Sequence, residues 1–306
     1  MTLIEKTKKI IKSPQWFLLQ VIQKFNSLFT DKIYVKVVFW LQVGKKLNLN
    51  DTQTFNEKLQ WLKLYDRRPE YTKMVDKYKV KKHVASLIGE EYIIPTLGVW
   101  NKFEEIDFEK LPNQFVLKTT HDSGGVILCK DKSLLDINAA KLLIDRLLKR
   151  NFFYITREWP YKNVTPRVIA EKYMVDESGI ELKDYKIFNF NGKAKIIQVD
   201  FGRFTEHERN IYTSNWDFID AQIQYPNNPK HQIDRPKQLE KMLELAAILS
   251  KDLPHVRTDF YSVEDQIFFG ELTFHHGSGH EKFTPESLNN DLGKCILLPN
   301  GGRAWF

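Results

Sequence analysis

Two carboxylates near the carboxy-terminal end of the chain are spaced to share a cation. In Val256 to Gly279, VRTDFYSVEDQIFFGELTFHHGSG, two alternating apolar runs flank Glu264-Asp265-Gln266, the pattern of an antiparallel hairpin. With those three residues as the loop, positions whose numbers sum to 530 face each other, so Asp259 stands opposite Glu271 and Arg257 opposite Thr273. Opposed residues point to the same face with Cβ atoms ~5 Å apart. Carboxylates so placed repel unless something cationic lies between them, and a hard divalent cation such as Mg²⁺ takes carboxylate oxygens. The alternative is a slipped register that leaves one carboxylate in water.

Four further features could do chemistry. Lys118 ends the apolar run FVLK and is followed by Ser123-Gly124-Gly125. A Gly-rich loop lets backbone N–H groups approach phosphate oxygens, and a lysine adds a point charge; the plain reading is a flexible turn. Asp76-Lys77 precedes a helical pattern, where it is otherwise a charged helix face. Glu171-Lys172-Tyr173-Met174 ends an apolar strand, where free backbone groups suit an adenine edge and a salt bridge is the alternative. Lys186 lies beside Ile187 and Phe188, so it either snorkels or points into a charged cleft.

The elements that must position these groups follow from the periodicity. Residues 1–90 read as helical. Ser13-Pro14 is a helix start, and Thr54-Phe55-Asn56-Glu57 is a capping box that opens a helix. A further helix near Ile88 stops at Gly89. No Gly-rich dinucleotide fingerprint occurs there. From Ile94-Pro95 the pattern turns to strands: Gln114 to Lys118, Val126 to Lys130 and Arg167 to Met174. Ser133 is expected to cap a helix reaching Arg150. The run Asp184 to Asp200, DYKIFNF-NG-KAKIIQVD, is the clearest hairpin. Pro236 is expected to open a helix to Leu253, and Thr284-Pro285-Glu286 a last short one.

The 306 residues carry a net charge of +7, concentrated in a basic amino-terminal third that suits an anionic partner. Cys129 and Cys295 form no disulfide framework and no nucleophile set. The apolar run from Ile33 to Val43 is broken by Lys36 and too short to span a bilayer. A cytoplasmic protein is expected. Peripheral contact with the inner face of the membrane stays open, because Trp16, Phe17, Leu18 and Phe25 stand among lysines.

Taken in order, FNEKLQWLKLYD, VDKYKVKKHVASLIGEEYIIPTLGVW, FVLKTTHDSGG, REWPYK, RVIAEKYM, DYKIFNFNGK, VRTDFY and FGELTFHHGSG resemble the ATP-grasp superfamily, and within it the teichuronopeptide-biosynthesis (TupA-like) family. The resemblance covers roughly residues 34–280. It implies an α+β, ATP-grasp fold: two α+β lobes clasping ATP, with a helical amino-terminal region over 1–90, a central lobe with the Gly-rich loop over 91–174 and a carboxy-terminal lobe with the hairpin over 175–306.

By that resemblance Lys77 and Lys118 contact ATP phosphates, and Ser123, Gly124 and Gly125 fold over them. Glu171, Lys172, Tyr173 and Met174 read the adenine. Asp259 and Glu271 hold Mg²⁺, and Arg257 stabilises an acyl-phosphate, with Lys186 beside it as a second catalytic cation. Two positions depart from the superfamily pattern. Thr273, the third metal candidate and a weaker hydroxyl ligand, stands where many relatives have a metal-binding Asn, and Ser178 where a ribose-binding acid is usual; Asp176, Glu177 and Asp184 are the substitutes.

The implied reaction is carboxylate–amine ligation through an acyl-phosphate, joining an amino acid to a uronic-acid carboxylate of a surface or capsular polysaccharide, or of its lipid-linked precursor, with no nucleic acid involved. Arg203, Arg209, His275 and His276, with Trp159 and Tyr161, are candidates for the acceptor site. A glycosyltransferase and an ATP-dependent sugar kinase are the rivals; the first lacks an Asp-x-Asp pair, and the second would use the same phosphate and metal groups.

Overall fold

The computed structural model describes residues 14–176, 182–202 and 206–302. The chain opens with α1 (Pro14–Lys24), α2 (Asp31–Val43), α3 (Phe55–Tyr65), α4 (Tyr71–Val75) and α5 (Lys79–Ile88). The capping box forms as its residues require: Thr54 Oγ1 accepts from Glu57 N, and the Glu57 side chain accepts from Thr54 N. Asp76, three residues before α5, accepts from the backbone N–H groups of Tyr78 and Lys79 in the turn that leads into it.

A small antiparallel sheet follows, built from β1 (Thr96–Trp100), β2 (Phe115–Thr119), β3 (Ile127–Cys129) and β4 (Val168–Lys172) in the order β1-β4-β2-β3. Alternation splits its residues. Phe115, Leu117, Val168 and Ala170 pack against α6 (Ile137–Leu148), whereas Lys118 and Glu171 belong to the other face. The cap of α6 is Asp136, which accepts from Ala139 N; Ser133 instead sits in a preceding single turn capped by Asp131. The expected start is therefore three residues early, because two Asx caps lie in tandem and only the second leads into an apolar stripe. A short α7 (Phe152–Thr156) leads to the aromatic segment 158–161.

The larger sheet contains β5 (Asp184–Phe190), β6 (Lys193–Phe201), β7 (Glu208–Thr213) and β8 (Phe218–Ile219). The short β9 (Gln222–Ile223) lies outside it. Next come α8 (Leu239–Leu249), β10 (His255–Val263), β11 (Gln266–Thr273), β12 (Phe283–Thr284), which pairs β9, and α9 (Glu286–Cys295). The sheet order is β11-β10-β5-β6-β7-β8, antiparallel throughout. Helix α8 begins at Leu239, three residues after Pro236, and ends at Leu249.

One face of the large sheet carries Tyr185, Ile187, Ile197, Val199, Val256 and Phe260, covered by α8, α4 and α5. The opposite face is divided. Phe188, Phe190, Ile196 and Ile211 pack under α3 and α9, with Phe55 and Leu59 fully buried among them. Each such apolar side chain contributes about 2 kcal/mol by leaving water. The rest of that face is charged: Asp184, Lys186, Asp200, Arg209, Arg257, Asp259 and Glu271. It borders a cleft whose other wall is the Lys118–Glu171 face of the small sheet.

Candidate active site

Register places the charges. Asp259 pairs with Lys186 on one side and with Glu271 on the other, giving a row across three strands. The hairpin differs from expectation at its tip. Val263 pairs with Gln266, so the turn is two residues, Glu264 and Asp265, both at positive φ. A bulge then shifts the register at Gly270 and restores the Asp259–Glu271 and Arg257–Thr273 pairs. A Cβ at Gly270 would stand 3.1 Å from both Asp259 O and the Tyr261 ring.

Arg257 is the hub of this row. Nε and Nη2 donate to the two Asp259 oxygens at 2.7 Å each, a bidentate pair, and Nη2 also donates to Glu271 Oε1 at 2.9 Å and Thr273 Oγ1 at 3.1 Å. Thr273 donates its own hydroxyl proton to Glu271 Oε1. Burial pushes the Asp259 carboxyl up to about 6, although Arg257 opposes it. Burial acts on Glu271 too, but Arg257 and Lys77 outweigh it and hold that carboxyl below its ordinary value.

The charges continue inward. Arg257 Nη1 meets His276 Nδ1 at 2.6 Å, and His276 Nε2 lies 2.6 Å from Glu281 Oε2. Arg209 Nη1 donates to Glu281, and its Nε donates to Asp200 Oδ1 at 2.6 Å. Lys186 Nζ lies 2.8 Å from both Asp184 and Asp200. His207 and Tyr225 stack beside Arg209.

On the opposite wall Glu171 receives two lysines, Lys118 and Lys81, each at 2.6 Å. Burial would raise the Glu171 carboxyl, but the two ammonium groups hold it low. Lys77 donates to the Asp122 carbonyl, and burial pushes its ammonium down. The loop beyond needs its glycines: Gly124 and Gly125 have φ of +86° and +65°, and a Cβ on Gly125 would strike Leu147.

A cavity of about 450 Å³ joins these groups, lined by Lys77, Lys81, Lys118, Ser123, Gly124, Glu171, Asp184, Lys186, Asp200, Arg209, Asp259 and Glu271 among others. A neighbouring cavity of about 350 Å³ is lined by the apolar side chains of Ile94, Val116, Val126, Leu128 and Tyr261, together with Lys172, Tyr173 and Met174. Neither cavity is lined by Gly125, Arg257, Thr273, His275 or His276. His275 points toward Glu158, with Nδ1 3.6 Å from its carboxylate. Arg203, Glu177 and Ser178 lie outside the described residues; Asp176 pairs with Lys183, and Asp184 with Lys186. Among the described residues no group of three or more His, Cys, Asp or Glu side chains is arranged to hold a metal ion.

Three groups central to this arrangement escaped the sequence reading. Lys81 follows Lys77 by four residues, and although Lys77 precedes α5 and Lys81 lies in its first turn, both line the same cavity. Asp200 and Glu281 carried no local signal, because only the fold brings them to Arg209. The loop holding His276 and Glu281 is fixed from behind by α3: Gln60 donates to the carbonyls of Ser278 and Gly279, Lys63 to Ser278, and Asn56 to the Glu281 carbonyl. Burial pushes Lys63 down to about 8, with Glu158 opposing.

The model of a family described as TupA-like ATPgrasp matches residues 57–297. Among solved structures, the chain is similar to N5-carboxyaminoimidazole synthetase from Staphylococcus aureus complexed with ADP, at 17% identity and a TM-score of 0.45 over 76% of this chain and 53% of that one. It is also similar to D-alanine–D-alanine ligase from Bacillus anthracis complexed with ATP, at 19% identity and a TM-score of 0.37 over 66% and 53%. A third is the ATP-grasp ligase PsnB complexed with minimal precursor, Mg and ADP, at 10% identity and a TM-score of 0.38 over 71% and 57%. The chain thus spans little more than half the length of these structures. No curated protein matches it.

Proposed function

Because the chain belongs to the TupA-like ATP-grasp family, we propose that it is an ATP-dependent ligase that activates a carboxylate as an acyl-phosphate and couples it to an amine. The observation that carries this reading is the meeting, in one cleft, of the Lys118–Glu171 wall with the Lys186–Asp259–Glu271 row. In this reading the adenine enters the apolar cavity beside Glu171 to Met174, and the phosphates meet Lys77, Lys118 and the Ser123–Gly125 loop. Lys118 and Lys81, paired with Glu171, would then exchange a carboxylate for a phosphate.

The first step forms a bond from a substrate carboxylate oxygen to the γ-phosphorus as the β–γ bridging P–O bond breaks, and ADP leaves with the electron pair. In the second step an amine forms the C–N bond at the acyl carbon. The C–O bond to phosphate breaks, inorganic phosphate departs, and the amine loses a proton to solvent. Arg257 and Lys186 offset negative charge that develops in both steps.

The carboxylate pair fits a shared cation, since Asp259 Oδ2 and Glu271 Oε1 converge on one charged atom, Arg257 Nη2, at 2.7 and 2.9 Å. Asp259 and Glu271 would hold Mg²⁺, which when bound would neutralise the transferring phosphoryl group. The Thr273 hydroxyl, bonded to Glu271, would orient that carboxylate.

For the substrates, an amino acid as the amine and a uronic acid of a surface glycan, or its lipid-linked precursor, as the carboxylate fit the family's character and the basic amino-terminal third. The test is incubation of the protein with Mg-ATP, a panel of amino acids and glucuronic-acid oligosaccharides, followed by mass spectrometry. Amide, ADP and phosphate in equal amounts are expected. A phosphorylated sugar without free phosphate would replace the ligase with a kinase. Sugar-nucleotide consumption without ATP would replace it with a glycosyltransferase.

A further inference from the structure

We propose that the α1–α2 pair docks on the surface of an anionic lipid bilayer. Helix α1, PQWFLLQVIQK, buries only Ile22. It packs on α2 through a small cluster of Ile22, Tyr34, Val38 and Leu41. That contact leaves a stripe at helical spacing on each helix. On α1 and its continuation it is Leu18, Val21 and Phe25; on α2 it is Ile33 and Trp40, two turns apart. Phe25 is 49% exposed, Trp40 48% and the intervening Leu28 78%, which is far from the burial such side chains reach inside a fold.

Charge selects the partner. Residues 1–50 contain nine lysines, no arginine and two acids, Glu5 and Asp31. Asp31 is already held by Arg67 at 2.7 Å and Arg157 at 3.0 Å. Lys24, Lys32 and Lys36 stand exposed beside the apolar stripes. Aromatic and leucine side chains flanked by lysines are the composition of a surface that sinks its apolar groups to the acyl boundary while its cations meet anionic headgroups. No described helix is long and apolar enough to cross a membrane, so the contact is interfacial. An acidic protein would satisfy the lysines but offers no reason for aromatic and aliphatic side chains to stand clear of the fold on two helices at once.

The proposal is independent of the nucleotide site and of the ligase reading. The test is flotation of the full chain with vesicles of phosphatidylcholine alone or mixed with phosphatidylglycerol. Binding to the mixed vesicles only, weakened by salt, is expected. Phe25→Glu and Trp40→Glu should each reduce it roughly tenfold or more, because each removes apolar burial and adds a charge that anionic headgroups repel. Both positions are exposed, so the thermal melting of the variants should match the parent. Absence of vesicle binding, binding that the variants leave unchanged, or a dimer in light scattering that Trp40→Glu dissociates would overturn the proposal.

Discussion

His276 accepts a hydrogen bond from Arg257 on Nδ1, and the same ring places Nε2 against Glu281. Arginine can only donate, so Nδ1 carries no proton and Nε2 does. Burial, which keeps His276 below its ordinary value, agrees with this neutral form. The imidazole therefore sets the orientation of the guanidinium that grips Asp259, and Glu281 sets the orientation of the imidazole.

Glu281→Gln should weaken the protein at neutral pH and matter little in strong acid. Burial would raise the Glu281 carboxyl, but the N–H of His276 and the Arg209 guanidinium hold it below its ordinary value. A lowered carboxyl gives stability that is present above its unfolded value, near 4.5, and lost as pH falls through its folded one. Urea titrations at pH 7, 4 and 3 should show the gap between parent and variant closing as the pH drops. A gap of constant size would mean that Glu281 acts through packing.

Asp259→Asn and Glu271→Gln should abolish Mg²⁺-dependent ADP release, by about two to three orders of magnitude. Asp259→Asn should also cost on the order of 3 kcal/mol, because it leaves the buried Arg257 without its bidentate partner. Because a cation must displace the proton that the metal-free Asp259 carboxyl takes up below about pH 6, the affinity of the parent for Mg²⁺ should weaken as the pH falls through that value. Normal turnover in both variants would remove the pair from the site.

Lys118→Ala and Lys81→Ala should each raise the ATP dissociation constant by about tenfold or more, the weight of one charge-assisted hydrogen bond. The double variant should exceed either single one and also unfold more readily, since Glu171 would be left buried between no cations. Isothermal titration with ATP, paired with a thermal melt, separates the two effects.

Gly270→Val should cost about 1–3 kcal/mol, because the new side chain meets the Asp259 carbonyl and the Tyr261 ring. Relief by flattening the bulge would slide Glu271 off Asp259. ADP release should therefore fall further than the loss of stability explains, and a denaturation curve beside a rate at permissive temperature reads both.

Much of the site was legible wherever chemistry and local structure share a stretch of chain. The Thr54–Glu57 capping box and the Asn191-Gly192 hairpin appear as spacing requires. The pairing of Asp259 with Glu271 was reached with a three-residue loop, whereas the chain uses a two-residue turn and repays the difference at Gly270. A strand glycine looks the same in sequence whether it bulges or not. Lys81 was hidden because a cation on a helix face is usually solvated, and only the approach of β4 gives it Glu171. Asp200, Arg209 and Glu281 meet through strand order and a distant loop, which no local pattern encodes.

The grip of α3 on the His276–Glu281 loop bears on how the molecule comes into being. Gln60 and Ser278 are 218 residues apart, so the loop that steadies Arg257 cannot take its shape until residue 278 has left the ribosome. Contacts of such long sequence separation form slowly. A nascent chain would thus own its lysine-lined wall well before its guanidinium clamp, and competence for phosphoryl transfer would arrive only when the two distant segments close.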